Sequence, residues 1–168
     1  ADAVYQNLDI IRGHDPRFVL ILAADHIYKM DYGPMLAHHV EHQADVTIGC
    51  VEVSKERAHE FGVLTLNDKD EVTGLVEKPQ DPETLPRRDN ISLASMGIYV
   101  FSTEFLYQQL AEDAHLKDSQ HDFARDILPR LLGKNRVFAY PFHDVQTKAQ
   151  NYWRDVGTVD AFWEANME

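Results

Sequence analysis

Phe18–Tyr32 (FVLILAADHIYKMDY) is the stretch that decides the fold. It opens with the apolar run Phe18–Leu22, and a continuous run of this kind is typical of a strand buried on both faces of a parallel sheet. Ligands of open α/β sheets bind beyond the carboxyl ends of the strands, which is where Asp25 lies. A carboxylate there can hold Mg²⁺ together with substrate phosphates. Asp25 is therefore a candidate metal ligand, and the cap of a turn is an equally good interpretation of its position alone.

Composition indicates one globular domain with an acidic surface. The chain has 168 residues, of which 44% are hydrophobic and 26% charged, so it can bury a core. The net charge of −12 argues against nucleic acid or an anionic membrane as the main partner. A phosphorylated substrate stays possible, because a nearby lysine and a divalent cation can outweigh that charge. We find no signal peptide or membrane-spanning run, and the single Cys50 fits a reducing cytoplasm.

Helix and strand patterns alternate along the chain. The predicted strands are Phe18–Leu22, Ala44–Val53, Gly62–Leu66, Val72–Glu77, Ala94–Phe101 and Val137–Phe142. The predicted helices are a first one that ends at Gly13, then Met35–His42, Thr103–Leu110, Phe123–Leu132 and Val159–Met167. Two of the strands form a hairpin, Asp81–Asn90 is predicted to be an exposed loop, and Ala111–Gln120 a mobile polar segment. This alternation predicts one α/β domain with a mixed sheet.

Two stretches could contact a ligand, one through a phosphate and the other through hydroxyl groups. Lys78 follows the end of a strand in VEKP, where a lysine can act as a point charge on a phosphate. Ser95 and Gly97 in SLASMG could place a hydroxyl and a close backbone against a polyhydroxyl ligand. On spacing alone, a solvated surface lysine and a plain strand entry are the favoured alternatives.

A second metal carboxylate is possible at Asp155, in YWRDVGT. The alternative is a turn that leads into a helix with Thr158 as its N-cap, and both can hold together. The nine histidines show no metal-ligand spacing, and we interpret His38, His39 and His42 as surface residues. There is no nucleophile elbow or Walker loop. Two carboxylates with a lysine and a serine between them suit metal-assisted transfer at phosphorus.

Six motifs occur in a recognisable order and spacing: LILAADHIYKMDY, FGV, VEKP, SLASMGIYVF, HDFARDILP and YWRDVGT. Together they closely resemble the bacterial glucose-1-phosphate adenylyltransferases, or ADP-glucose pyrophosphorylases, of the sugar nucleotidyltransferase family. The resemblance covers essentially the whole chain. It implies a Rossmann-like, three-layer αβα domain with a mixed, mostly parallel sheet.

The resemblance also implies a reaction. The family joins ATP and α-D-glucose 1-phosphate into ADP-glucose and pyrophosphate with Mg²⁺, as the committed step of bacterial glycogen synthesis, in the cytoplasm and as a homotetramer. Asp25 matches the family's metal-binding catalytic aspartate, and Asp155 matches its second metal carboxylate. The sugar phosphate would attack the α-phosphorus of ATP in line, with Mg²⁺ offsetting the charge that gathers in the transition state.

Four further residues match the family's contacts with glucose 1-phosphate. Lys78 matches the lysine that holds the phosphate, and Glu77 lies beside it on the sugar hydroxyls. Gly62 of FGV and Ser95 match further sugar-phosphate contacts. One departure is Ala24, where the family usually has Gly, and its methyl group could modestly crowd a backbone–ligand approach.

The resemblance leaves parts of the family's enzyme outside this sequence. Its Gly-rich nucleotide loop and adenine-reading residues would lie before Ala1, and its β-helix domain would lie after Glu168. We therefore expect residues 1–168 to be the C-terminal part of a catalytic domain that makes no ADP-glucose alone and has an uncovered sheet edge. Alternatives are a thymidylyl- or uridylyltransferase, which SLASMG and HDF weigh against, and a non-catalytic sugar-phosphate-binding paralogue, which the presence of both aspartates weighs against.

Overall fold

The computed structural model describes residues 1–86, 88–143 and 149–168. In these ranges the strands are β1 (Phe18–Leu22), β2 (His26–Tyr28), β3 (Val46–Ser54), β4 (Gly62–Leu66), β5 (Val72–Glu77), β6 (Ile91–Ser102), β7 (Val137–Pro141) and β8 (Trp153–Asp155). The α-helices are α1 (Asp2–Tyr5), α2 (Leu8–Gly13), α3 (Gly33–Glu41), α4 (Lys55–Ala58), α5 (Thr103–Ala114), α6 (Leu128–Leu131) and α7 (Val159–Met167), and one π-helical turn, Phe123–Ile127, precedes α6. No helix among the described residues is long and apolar enough to cross a membrane.

The main sheet is built around β6. Its order is β5-β4-β6-β3-β7, with β1 also paired to β6, and β2 and β8 form a separate two-stranded ribbon. β6 runs antiparallel to β1, β3 and β4, and β5 runs antiparallel to β4. Within the described residues, only β3 and β7 of this sheet pair in parallel. The mixed sheet is confirmed, but the prediction that it is mostly parallel is wrong, because its central strand runs antiparallel to each of its described neighbours.

Helices cover both faces of the sheet, which confirms the three-layer prediction. Along β6, Leu93 and Phe101 pack on one face into a core shared with α5, the π-helical turn and α6. Met96 and Ile98 point to the opposite face and pack into a second core that contains Met35 of α3. The period of two residues in a strand explains how one apolar run serves two cores. Continuous hydrophobicity along this strand therefore reports burial on both faces.

β1 differs from its prediction of burial on both faces. It pairs only with β6 among the described residues, and Leu20 and Leu22 are 36% and 43% exposed. Val19 and Ile21 pack against the core on the α5 side. β1 is thus an edge strand whose second face is covered only in part: Phe18 packs against the ring of His39 in α3, whereas Leu20 and Leu22 stay partly exposed.

The hairpin and the last helix have the predicted bounds, since β4, β5 and α7 begin and end where the sequence placed them. The first helix is broken into α1 and α2, and the predicted helix Phe123–Leu132 divides into the π-helical turn and α6. α5 continues to Ala114, so the predicted mobile segment begins inside a helix. In the predicted loop Asp81–Asn90, Pro82 is buried, and Arg87 lies outside the described residues.

The interpretation of His39 as a surface residue is wrong. Its side chain is 1% exposed, Nδ1 lies 2.8 Å from Thr47 Oγ1, and Nε2 lies 3.2 Å from Ser102 Oγ. The two hydroxyls are hydrogen-bond partners for both nitrogens of the His39 ring, which lies between α3 and the sheet. A polar ring can be buried at little cost when its nitrogens have such partners. Burial lowers the pKa of His39 from 6.5 to about 4, against a smaller upward effect of Asp45. The ring is therefore neutral in the folded protein near neutral pH.

This burial predicts a pH-dependent loss of stability. The unfolded chain binds a proton at His39 below about pH 6.5, whereas the folded chain does so only near pH 4, so the free energy of unfolding should fall as the pH drops through this window. The slope from one such group is at most about 1.4 kcal/mol per pH unit. Urea unfolding at pH 7, 6 and 5 should show a shallower dependence in His39→Gln than in the parent chain.

The exposed His59 supplies the matched control, since His59→Gln should keep the parent slope. If the free energy of unfolding depends on pH equally in the parent and in His39→Gln, the lowered pKa of His39 is contradicted.

Candidate active site

The ribbon of β2 and β8 brings the two predicted metal carboxylates together. His26 of β2 lies opposite Asp155 of β8, and the backbone N–H of Val156 donates a hydrogen bond of 2.9 Å to the carbonyl of Asp25. His26 Nε2 lies 3.6 Å from Asp25 Oδ1 and 3.7 Å from Asp155 Oδ1. Residues far apart in the chain thus form one cluster of two carboxylates around one imidazole.

Gly97 makes room for this cluster. Its φ of +68° is a left-handed conformation that side chains rarely adopt, and a Cβ there would lie 3.0 Å from Ala23 Cβ and 3.2 Å from His26 Cε1. Trp153 closes the other side of the imidazole in an edge-to-face contact, with ring centroids 4.9 Å apart. The His26 ring is therefore held in place by packing on two sides.

The cluster fits a hard divalent cation. One ligand atom from each of Asp25, His26 and Asp155 lies within 4.8 Å of the others. Mg²⁺ prefers oxygen ligands and keeps several waters, and the exposed Asp25 leaves room for water and substrate oxygens. The distances from His26 to the two carboxylates are too long for hydrogen bonds, so their oxygens stay available to a cation. Asp25 and Asp155 are the oxygen ligands this arrangement offers.

The predicted sugar-phosphate residues lie at the start of β4, at the end of β5 and inside β6. Gly62 is opposite Glu77 in the hairpin, and a Cβ on Gly62 would lie only 2.9 Å from Glu77 Oε2. The carboxylate of Glu77 therefore crosses a position that only glycine leaves open. Ser95 is almost buried, and its Oγ accepts a hydrogen bond of 3.3 Å from the backbone N–H of Gly97.

Lys78 is exposed at the point where β5 ends. Its backbone has φ = +49°, and its N–H donates a hydrogen bond of 2.9 Å to the carbonyl of Phe61. This contact fixes the turn that presents the lysine. Burial raises the pKa of the adjacent Glu77, while the positive charge of Lys78 lowers it by a smaller amount.

One cleft contains all of these residues. It has a volume of about 710 Å³ and is lined by Asp25, Asp155, Gly62, Glu77, Lys78 and Ser95 among others. Such a volume lies in the range of small-molecule binding sites. Ala24 itself is exposed between two lining residues, Ala23 and Asp25.

Sequence reasoning missed four residues of this site. His26 and Trp153 lie on three-residue strands that are too short to show a period. Tyr99 and Asp122 also line the cleft. Burial raises the pKa of Tyr99 to about 12, so its hydroxyl stays protonated and can both donate and accept hydrogen bonds. Two signals in the sequence could have identified Tyr99 and Asp122. Tyr99 is a polar residue inside the apolar run ASMGIYVF, and Asp122 directly precedes a helical pattern.

The arrangement can bind a phosphorylated polyhydroxyl compound beside a cation. Carboxylates, hydroxyls and a lysine surround the cleft, and the described residues at its wall include no thiol or paired serine and histidine that would form a nucleophile. Such a donor set favours positioning and charge stabilisation over covalent catalysis.

Comparison with known proteins gives the family. A family described as nucleotidyl transferase matches residues 1–168. The glucose-1-phosphate adenylyltransferase of Methylococcus capsulatus is 57% identical over 168 residues, and glucose-1-phosphate adenylyltransferase 2 of Alkalilimnicola ehrlichii is 58% identical over the same length. The glucose-1-phosphate adenylyltransferase of Nitrosococcus oceani is 57% identical over 169 residues. Each alignment covers the whole chain but 40% of the relative's own length. The chain belongs to the nucleotidyl transferase family.

Proposed function

We propose that the protein carrying this chain is a glucose-1-phosphate adenylyltransferase, which makes ADP-glucose and diphosphate from ATP and glucose 1-phosphate. The observation that carries the proposal is the convergence of Asp25, Asp155 and Lys78 on one cleft. The names of relatives at 52–58% identity support the same substrates. The product, ADP-glucose, would serve as the sugar nucleotide for glycogen synthesis.

In this proposal the sugar phosphate binds at the hairpin end of the cleft. Lys78 holds the phosphate as a point charge, while Glu77 and Ser95 accept or donate hydrogen bonds to sugar hydroxyls. Tyr99 and Asp122 lie in the wall of the same cleft and add further hydrogen-bonding groups. Gly62 leaves the space that the Glu77 carboxylate occupies. These contacts would orient one phosphate oxygen toward the α-phosphorus of ATP, because in-line attack needs the reacting atoms held in a near-attack geometry.

The aspartates would hold the cation on which the transfer depends. Asp25 and Asp155 are the residues that would hold Mg²⁺, and the ion would supply positive charge that offsets the negative charge of the transition state. Packing of His26 between Gly97 and Trp153 keeps the ribbon close to the end of β1, so both carboxylates face the cleft.

The remaining expectations about the protein are part of the same proposal. We place the triphosphate cradle and the base-reading residues in sequence before Ala1, and a β-helix domain with the tetramer contacts after Glu168. A cytoplasmic location agrees with the single, buried cysteine, Cys50.

An assay of nucleotide choice tests the function. The full-length protein, with glucose 1-phosphate and Mg²⁺, should form ADP-glucose from ATP much faster than it forms the corresponding products from dTTP or UTP. Preference for dTTP or UTP would indicate a different nucleotidyltransferase, and no product from any of the three would indicate a non-catalytic sugar-phosphate-binding protein.

Asp25→Asn tests the cation ligands. The amide keeps the shape but removes the charge, so turnover of the full-length protein should fall by on the order of a hundredfold or more, with a smaller loss of substrate binding. Steady-state kinetics with both substrates measures this. The control is Asp68→Asn, at an exposed position in the turn between β4 and β5, which should keep the parent turnover. Near-parent turnover of Asp25→Asn would remove Asp25 from the mechanism.

Lys78→Ala tests the phosphate contact. A phosphate is charged before and during the reaction, so this variant should mainly raise the KM for glucose 1-phosphate. Loss of one charge-assisted contact costs about 1.5–3 kcal/mol, or roughly ten- to a hundredfold. The KM for ATP should change little, and Lys69→Ala in the exposed hairpin turn should change neither value. Equal weakening of both substrates would assign Lys78 a structural role instead.

A further inference from the structure

Asp113 is a buried carboxylate outside the cleft. It lies in the last turn of α5 and is 2% exposed. Its oxygens accept hydrogen bonds from Ser119 Oγ at 2.8 Å, His121 Nδ1 at 2.7 Å and the guanidinium of Arg130 at 2.8 Å. Among the described residues it is the only fully buried acidic side chain. A charge in this environment needs an explanation, because burying it is costly unless its partners are well placed.

The partners keep Asp113 ionised. Burial alone would raise its pKa, but the hydrogen bonds from His121, Ser119 and Arg130 together outweigh burial and lower it. Asp113 is therefore a carboxylate at neutral pH. Hydrogen bonds to a charged acceptor are stronger than those between neutral groups, so this residue ties three separate parts of the chain together.

Two of the three ties fix the segment that leads into the cleft. Ser119 Oγ donates to Asp113 and also accepts a hydrogen bond of 3.0 Å from the backbone N–H of His121. His121 has φ = +57°, a backbone conformation that residues other than glycine adopt infrequently. The ties from Asp113 to Ser119 and to the His121 ring hold the chain in that conformation.

The residue after His121 is Asp122, which lines the cleft. Asp122 Oδ1 caps the π-helical turn by accepting a hydrogen bond of 2.9 Å from the N–H of Arg125, and its own N–H donates at 2.9 Å to Asp126 Oδ2. Ala124 in the same turn also lines the cleft. A change in the direction of the chain at His121 would therefore move part of the cleft wall. π-Helical turns are frequent at functional sites, where they set the direction of a side chain.

We propose that Asp113 is a positioning residue for glucose 1-phosphate, which holds Asp122 and the π-helical turn against the sugar side of the cleft through Ser119 and His121. The proposal rests on the proposed function, because it assigns Asp122 to the sugar-phosphate side of that site. A positioning role differs from a purely structural role in one respect: Asp113 affects the binding of glucose 1-phosphate only by placing Asp122.

The experiment compares Asp113→Asn and Ser119→Ala in the full-length protein. The KM for glucose 1-phosphate should rise about tenfold in the first and about threefold in the second, since small displacements of a positioning group are costly. The KM for ATP and kcat should change less than about twofold. Glu112→Gln is the matched control, because it removes a neighbouring charge from the exposed side of the same helix and should leave all three constants unchanged.

A double-mutant cycle with Asp122→Ala separates positioning from general loosening. In the Asp122→Ala background, Asp113→Asn and Ser119→Ala should add almost nothing to the KM for glucose 1-phosphate, because the group they position is gone. If Asp113→Asn does not fold, Ser119→Ala decides, since it keeps Asp113 with two of its three donors.

The outcomes separate the two proposals. Failure of the wild-type protein to form ADP-glucose contradicts the proposed function and the sugar-phosphate assignment with it. Wild-type activity with an unchanged KM for glucose 1-phosphate in Ser119→Ala contradicts the positioning role alone. An equal rise of that KM with and without the Asp122 side chain, or a parallel rise of both KM values, also overturns it.

Discussion

The left-handed backbone at Gly97 in β6 is the constraint on which the site depends. The two halves of β6 use different neighbours on one side: Leu93 and Ala94 pair with β4, whereas Ile98–Ser102 pair with β1. Gly97 lies between these halves, and its carbonyl accepts a hydrogen bond of 3.0 Å from the N–H of Ala23. This bond fixes the chain just after β1, next to the end of the hairpin. The proposed cation-binding half and the proposed sugar-phosphate half of the cleft meet at this glycine.

The two carboxylates then depend on a short ribbon. Each strand of the β2–β8 pair has three residues, which is too little to be stable alone, since an isolated two-stranded hairpin is marginal in water. Packing provides the missing stability: Trp153 contacts the rings of His26 and Phe61, with centroids 4.9 and 5.5 Å apart. The aromatic cluster thus links the ribbon to the second core of the sheet. A charged site is held in place by apolar contacts beneath it.

The sequence predicted those features that local chemistry determines. The hairpin β4–β5 was located to the residue because the polar turn Asn67–Asp70 interrupts two apolar runs. The N-cap role of Thr158, given as the alternative interpretation of YWRDVGT, is confirmed: its Oγ1 accepts a hydrogen bond of 3.1 Å from the N–H of Ala161 in α7. Strand direction was not predictable in this way, because a continuous apolar run reports coverage of both faces and looks the same in parallel and antiparallel strands. The burial of His39 was missed because its partners, Thr47 and Ser102, are distant in sequence from one another.

The candidate site was only partly predictable from residue patterns. Asp25 and Asp155 stood out by family resemblance, whereas spacing alone left each of them with an alternative role in a turn. Their proximity depends on the register of the ribbon, in which His26 faces Asp155, and such a pairing has no local signal. Asp122 was not predicted to be a site residue, because an aspartate just before a helix is typical of an N-cap. It does cap the π-helical turn, and the same position also places it in the cleft wall.

We propose that Asp25 and Asp155 form a single cation site. Mn²⁺ is a spectroscopic substitute for Mg²⁺ because both prefer carboxylate and water ligands. Electron paramagnetic resonance titration of the full-length protein should give one Mn²⁺ site at the cleft, weakened about tenfold or more by either Asp25→Asn or Asp155→Asn. The double variant should bind Mn²⁺ more weakly than either single variant, because it lacks both carboxylate ligands of the same ion. Two Mn²⁺ sites, of which each substitution removes a different one, or Mn²⁺ binding unchanged by both substitutions, would contradict the shared site.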